Sequence, residues 1–423
     1  MAKLISADLT NNKLCILEYT TTNRQMLSFK EDAFDAKIVS HTYADKGKII
    51  FDKPITTIRE FPFNIPVNLK SITIPDSVTT IDEGTFSGCS SLKEFKGKFA
   101  SDDGRCLIIN GVLNSFASGC DATDYVIPNS VISIGECAFS NCTILANVTI
   151  HNRVTTIGEG AFMLCDSLTS VTIPNSVTTI GVSAFSGCSS LTSVIIPNSV
   201  TAIGETAFAG CSNLKEFKGK YASDDGRCLI IDGVLNSFAC AELTEYAILD
   251  TVITIGSGAF IGCSSLTMVT IGDNVTTIGD SAFYGCSSLT SVVIPDSVTA
   301  IGEWAFSDCS NLTSITISNS VTTIEDFAFS DCSNLTSITI SNSVTTIGHF
   351  AFSNCRNLTS VTIGKSVSKI EEKSFKGCNI ETIVCCPTIP PKINDSFDKF
   401  ENLIVSTGCE EAYANSDWGQ YLE

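Results

Sequence analysis

A 23-residue phrase recurs along this chain and constrains its fold more than any other feature. From Leu168 it reads Leu-Thr-Ser-Val-Thr-Ile-Pro-Asn-Ser-Val-Thr-Thr-Ile-Gly, followed by Ala184-Phe185-Ser186-Gly187-Cys188. It restarts at Leu191, and near-copies begin at Leu69, Leu145, Leu266, Leu289, Leu312, Leu335 and Leu358. Two copies are longer, 92–121 and 214–242. Allowing for degenerate ends, the chain holds about sixteen such units. One unit cannot bury its own apolar face, so stability has to come from neighbours stacking. The composition supports a core of this kind: 43% of residues are hydrophobic and only 17% charged, which excludes a disordered chain.

Each unit has a physical reading. Val171 and Ile173 alternate with Thr172, so a short strand points its apolar side inward. Pro174-Asn175-Ser176 turns the chain, and Val177 and Ile180 anchor a second extended piece. Gly181 recurs at 135, 158, 204, 256, 279, 302 and 348, which predicts a left-handed corner there. A short helical turn is expected next, with Ala184 and Phe185 buried. Acidic residues such as Glu136, Glu159, Glu205, Asp280 and Glu303 stand at its start, as suits a helix N-terminus.

Leu168, Val171 and Ile173 follow the spacing of leucine-rich repeats, and the full phrase resembles the BspA-like members of that class. The resemblance covers roughly 46–422. It implies an α/β repeat solenoid: a right-handed curved rod with a parallel β-sheet on its concave face and short helical or 3-10 turns on the other. The expected organisation is an N-terminal cap over 1–45, a solenoid over 46–399 and a C-terminal cap over 400–423. The second cap rests on Leu403, Tyr413, Trp418 and Tyr421, whose bulk would close the last coil. In the first, Leu14 to Tyr19 and Gln25 to Phe29 read as two strands. In the long coils, Arg105 to Phe116 and Arg227 to Phe238 each read as a β-hairpin turning at Asn110-Gly111 or Asp232-Gly233. Such a hairpin is either an inherited structural insertion or a projecting recognition element.

The family resemblance implies an adhesion or protein-binding role at a cell surface or after secretion, with a host extracellular protein as one class of partner, and it brings no catalytic residues. On the strand face the outward positions form a hydroxyl band, such as Ser170/Thr172 and Ser314/Thr316, which also simply suits soluble strands. Charged residues interrupt the band at Glu94, Lys96, Asp124, Glu216, Lys218 and Glu245, and Met268 is an apolar interruption. These seven residues are the candidate partner-binding positions, because charges on a rigid array give orientation and selectivity.

Other chemistry finds little support. His41, His151 and His349 share no motif, and no phosphate-binding loop, dinucleotide fingerprint or metalloprotease signature occurs. No cofactor or metal is implied, since none of the twenty cysteines forms a C-x-x-C pair. Eleven of them, Cys142 and Cys188 among them, occupy one repeat position and are expected to be reduced, inward-facing thiols. A net charge of −19 argues against nucleic acid as a partner. No apolar run reaches the length of a transmembrane span, and residues 1–8 hold no signal-peptide core, which departs from secreted relatives and keeps an intracellular interaction scaffold open. A monomer is expected, and a passive spacer remains the bland alternative.

Overall fold

The computed structural model describes residues 15–30, 32–59 and 66–422. The chain divides into two compact units, Met1–Ala207 and Phe208–Glu423. Both are β-solenoid repeat folds of parallel strands with little helix; the α-helix among the described residues is Glu410–Ala414.

Three hydrogen-bonded ladders run from coil to coil. The first joins the strands of the Ser-Val-Thr phrase, with Asp124–Val126, Asn147–Thr149 and Ser170–Thr172 paired in parallel and in register. In the second unit, Glu245–Ala247, Met268–Thr270, Ser291–Val293 and Ser314–Thr316 do the same. Alternation places the middle residue inward, as with the buried Val171 and Val269, and its neighbours outward. The second ladder joins the two-residue strands ending in a buried isoleucine, such as Thr156–Ile157 and Thr179–Ile180. Threonine at two further positions reinforces both ladders, for Thr178 Oγ1 donates to the Thr155 carbonyl and Thr192 Oγ1 to the Thr169 carbonyl.

The third ladder replaces the expected helical turn. Residues 182–187 form a run of turns in which alternate N–H groups bond forward to the next coil, while those of Ala184 and Ser186 bond back three residues. Ser183 donates to the Glu205 carbonyl and Phe185 to the Ala207 carbonyl. Ser183 and Gly187 are left-handed, with φ of 52° and 73°, which breaks a helical path. With no helix there, the acidic residues do not serve a helix dipole. The carbonyls of Glu159, Glu205, Asp280 and Glu303 accept ladder bonds, and the Asp280 carboxylate also accepts the Glu303 N–H at 2.9 Å.

The recurrent glycine is likewise explained by contact and not by a left-handed corner. Gly181 has no positive φ. A Cβ built there would lie 2.5 Å from the Glu159 nitrogen, so coil backbones approach too closely for a side chain in that direction.

The core is a set of columns. Phe283, Phe306, Phe329, Phe352, Phe375 and Phe397 stack at 5.0–5.4 Å with interplanar angles of 4–10°. That spacing is close to the distance between neighbouring strands, about 4.8 Å, so coil rise sets the stack. Beside this column runs the cysteine column. Cys165, Cys188, Cys309 and Cys355 are fully buried, and each Sγ donates to a phenylalanine carbonyl of the preceding coil; Cys165 to Phe139 is 3.1 Å. None of the twenty cysteines forms a disulfide. Burial pushes Cys89 and Cys385 up to about 12. Hydrogen bonding to Cys263 holds Cys240 below its usual value, but Cys240 is itself buried. Only Cys15, Cys137, Cys386 and Cys409 are partly exposed. A thiol-exchange titration of the folded protein at pH 8 should therefore detect about four fast thiols, and all twenty in denaturant.

One local expectation is corrected, and one of two alternatives is favoured in another. Among the N-terminal residues, Ile16–Thr21 is a strand, while Leu14 lies outside the described residues and Gln25 to Phe29 form no strand. Ile16–Thr21 pairs antiparallel with Gly47–Phe51 on one side and Leu69–Ile74 on the other. Gly47 fits there because a Cβ would sit 2.1 Å from the Tyr19 ring. In the long coils, Cys106–Ile109 and Val112–Phe116 pair antiparallel around Asn110 and Gly111, both left-handed. This pair does not project. Val112–Phe116 stacks parallel on Ser133–Ile134, Cys106–Ile109 lies at the edge of that six-stranded sheet, and the Ile132 N–H donates to the Gly111 carbonyl. Cys228–Ile231 and Val234–Phe238 repeat the arrangement.

Candidate functional site

The seven candidate residues lie on outward positions of first-ladder strands, but the structure joins them in small groups. In the first unit, Glu94 and Lys96 stand on Glu94–Gly97, beside Ser71 and Thr73, and form an ion pair of 2.8 Å. Both ends are about half exposed, so solvent screens the pair and its stabilisation is about 0–1 kcal/mol. Asp124 belongs to a different sheet. It accepts from Asn147 Nδ2 and Thr123 Oγ1, both at 2.8 Å, and these bonds hold its carboxyl below the usual range, the Asn147 bond contributing most. Ser170 Oγ donates to Asn147 Oδ1 at 3.3 Å, which makes a polar row of Asp124, Asn147 and Ser170 across three coils. Asn147 was missed in the sequence although it occupies the Ser170 position of the repeat.

In the second unit, Glu216 and Lys218 repeat the ion pair. Glu245 stands directly beside Met268, which stands beside Ser291. Met268 and Val293 are 43% and 67% exposed, well above their buried neighbours Val269 and Val292. They open into a groove of about 660 Å³ whose far wall comes from the turns after the strands: Asp273, Pro295, Asp296 and Ser297. The Ser297 Oγ is buried and has no hydrogen-bond partner among the described residues. A second groove, of about 490 Å³, lies over the hydroxyl band, with Ser314, Thr316, Ser337, Thr339, Asn319 and Asn342 in its lining. The first groove thus offers apolar contact edged by carboxylates, and the second a field of neutral hydrogen-bonding groups. Val293 carried a sequence signal, an apolar residue at an outward position, and Asp273, Pro295 and Asp296 carried none.

The three histidines are held apart from these grooves. His41 Nε2 meets Tyr19 Oη at 2.5 Å, His151 Nε2 meets the Pro128 carbonyl oxygen at 3.0 Å, and His349 Nε2 lies 3.8 Å from Glu371. Among the described residues no cluster of side chains could hold a metal ion, and no helix is long and apolar enough to cross a membrane.

Among solved structures, the chain is similar to a leucine-rich repeat protein of Eubacterium ventriosum. The identity is 26% and the TM-score 0.52, over 64% of this chain and 89% of that one. A leucine rich cell surface protein of Faecalibacterium prausnitzii is 25% identical, with a TM-score of 0.50, over 93% of this chain and 97% of that one. The pneumococcal vaccine antigen PcpA, at 15% identity and a TM-score of 0.50 over 92% and 96%, shares the fold. No curated protein matches the chain. The family described as BspA type Leucine rich repeat region (6 copies) matches residues 12–99, 113–222, 235–348 and 276–404. A match over most of the length, on a solenoid whose ladders step mostly by 23 residues, places this chain in the BspA-type leucine-rich repeat family.

Proposed function

We propose that this protein is a non-enzymatic protein-binding scaffold, presented at a cell surface or secreted, and that its strand face carries the partner site. The observation that carries this reading is the Met268–Val293 groove, where two exposed apolar side chains interrupt a face otherwise made of small hydroxyls. Exposed apolar groups rimmed by polar ones are the usual anatomy of a protein contact. Glu245 continues that surface, and the Glu94–Lys96 and Glu216–Lys218 pairs would set orientation more than affinity. The cell-surface description of the Faecalibacterium prausnitzii relative supports the location. Twenty cysteines without a disulfide favour a reducing or anaerobic setting over an aerobic extracellular one.

The test immobilises the chain and measures binding of purified host extracellular-matrix proteins. Wild type is compared with a Met268→Lys/Val293→Lys variant and with a Glu94→Ala/Lys96→Ala/Glu216→Ala/Lys218→Ala variant. The lysine variant is expected to lose about tenfold or more in affinity, as interface centres do, while keeping stability within about 0.5 kcal/mol. The alanine variant should chiefly slow association and reduce its salt dependence. Binding that survives both sets of changes would remove the site from the strand face, and no binding by wild type would favour a spacer.

A further inference from the structure

The turn side of the second unit carries a feature that the protein-binding strand face does not use. One left-handed position per coil precedes a buried alanine or, in the last two coils, a buried serine. It is filled by Gly258, Ser281, Trp304, Phe327, Phe350, Lys373 and Asp395 in successive coils. Backbone strain alone favours glycine or asparagine there, and bulky residues are rare at such angles. Yet three consecutive coils place aromatic residues in it, at φ of 58°, 56° and 54°. The rings stack on the outside of the fold: Trp304 on Phe327 at 3.9 Å and 6°, Phe327 on Phe350 at 4.8 Å and 4°. Trp304 is 37% exposed, whereas the chain's other tryptophan, Trp418, is fully buried.

The two ends of this row differ. At one end the Lys373 ammonium lies 5.4 Å from the centroid of the Phe350 ring. The chain therefore already seats a cation on the row. At the other end the preceding coil supplies Ser281, which has no ring, and Tyr284 stands edge-on at 6.5 Å and 65°. Among the described residues no lysine or arginine is seated on the Trp304 ring, and from 228 to 355 the sequence has twelve carboxylates and no lysine or arginine. Asp280, Glu303 and Asp326 precede the row position in their coils, and Asp308 and Asp331 follow it. None of the five is in an ion pair among the described residues. The crowding is measurable at Glu325, whose carboxyl is held above its usual range by burial and then by Asp326, Glu303 and Asp280.

We propose that the Trp304–Phe327–Phe350 row, with its flanking carboxylates, is a docking ridge for an arginine- or lysine-bearing segment of a partner protein. One cationic side chain stacks on the Trp304 end as Lys373 does on Phe350, and the carboxylates take its neighbours.

The experiment uses the whole chain and fluorescein-labelled hexapeptides alternating glycine with arginine, lysine, glutamate or phenylalanine, read by anisotropy. The arginine and lysine peptides are expected to bind saturably, and the arginine peptide to shield the exposed tryptophan from iodide quenching. Trp304→Asn keeps the left-handed backbone and should weaken the arginine peptide about tenfold. Asp280→Asn/Glu303→Gln/Asp326→Asn should weaken it similarly, whereas Asp232→Asn/Glu242→Gln/Asp250→Asn removes as much charge elsewhere and should change it less than about twofold. Equal loss in both triple variants would reduce the effect to general attraction by an acidic protein and overturn the proposal. Equally tight binding of the phenylalanine peptide would overturn it in favour of a plain apolar contact. Failure of the arginine peptide to bind, or to shield the tryptophan of the wild-type chain, would overturn it whether or not the variants fold.

Discussion

Trp418→Ala is expected to cost about 3–5 kcal/mol and to raise aggregation on heating. Trp418 is fully buried, and its Nε1 donates to the Pro391 carbonyl at 2.8 Å. Its ring meets Phe397, the last member of the phenylalanine column, at 5.5 Å, and also packs on Tyr413 and Phe400. The first ladder ends nearby at Asn402–Val405, paired with Thr382–Cys385 on one side only. Loss of the indole leaves a cavity over the column and an orphaned carbonyl, and it loosens the segment beside an unpaired strand edge. Urea unfolding and light scattering during a thermal ramp check this. A loss below about 1 kcal/mol with unchanged scattering would show that the indole does not close the column.

The second large effect is a contrast between two stacked phenylalanines one coil apart. Phe306 lies fully buried between Phe283 at 5.0 Å and Phe329 at 5.4 Å. Phe306→Ala should cost about 3–5 kcal/mol. Phe327 is stacked as closely, between Trp304 and Phe350, but it is partly exposed and left-handed. Phe327→Gly gives up stacking of about 0.5–1.5 kcal/mol per pair and relieves a backbone cost of about 1–2 kcal/mol, so the net change should be within about 1 kcal/mol. Long repeat arrays do not always unfold in one step. Native-state hydrogen exchange of the ladder amides, such as Phe306 N–H to the Ala328 carbonyl, therefore reads the effect where it occurs. Equal losses would mean that stacking, and not burial, holds these coils together.

The candidate site was legible only in part. The outward positions of the strands follow from alternation, so Glu94, Asp124, Glu245 and Met268 could be placed on one kind of face by counting along the repeat. Which of them meet could not be counted. Asp124 takes its partner from the next coil, Asn147, and the wall of the Met268 groove comes from turn residues that share no period-two signal. The aromatic row was written in the sequence at the same 23-residue spacing, at 304, 327 and 350, but its exposure depends on the backbone angle of the turn.

The sequence by itself determined the coil length, the inward columns of leucine, isoleucine, phenylalanine and cysteine, and the two-residue turns of the long coils. Each of these rests on local pattern: period, residue size and turn chemistry. Only the tertiary structure decided what the coil does between its strands. Residues 183–188 look helical in composition, but the N–H groups of Ser183 and Phe185 find carbonyls 22 residues onward, in a coil that no local window contains. Gly181 is small because another backbone lies 2.5 Å from where its Cβ would be, not because its own φ demands it. Val112–Phe116 is a ladder strand and not a projecting arm, because Ser133–Ile134 offers it a parallel edge. In a solenoid the repeat fixes what each coil presents, and stacking decides which of its groups remain free.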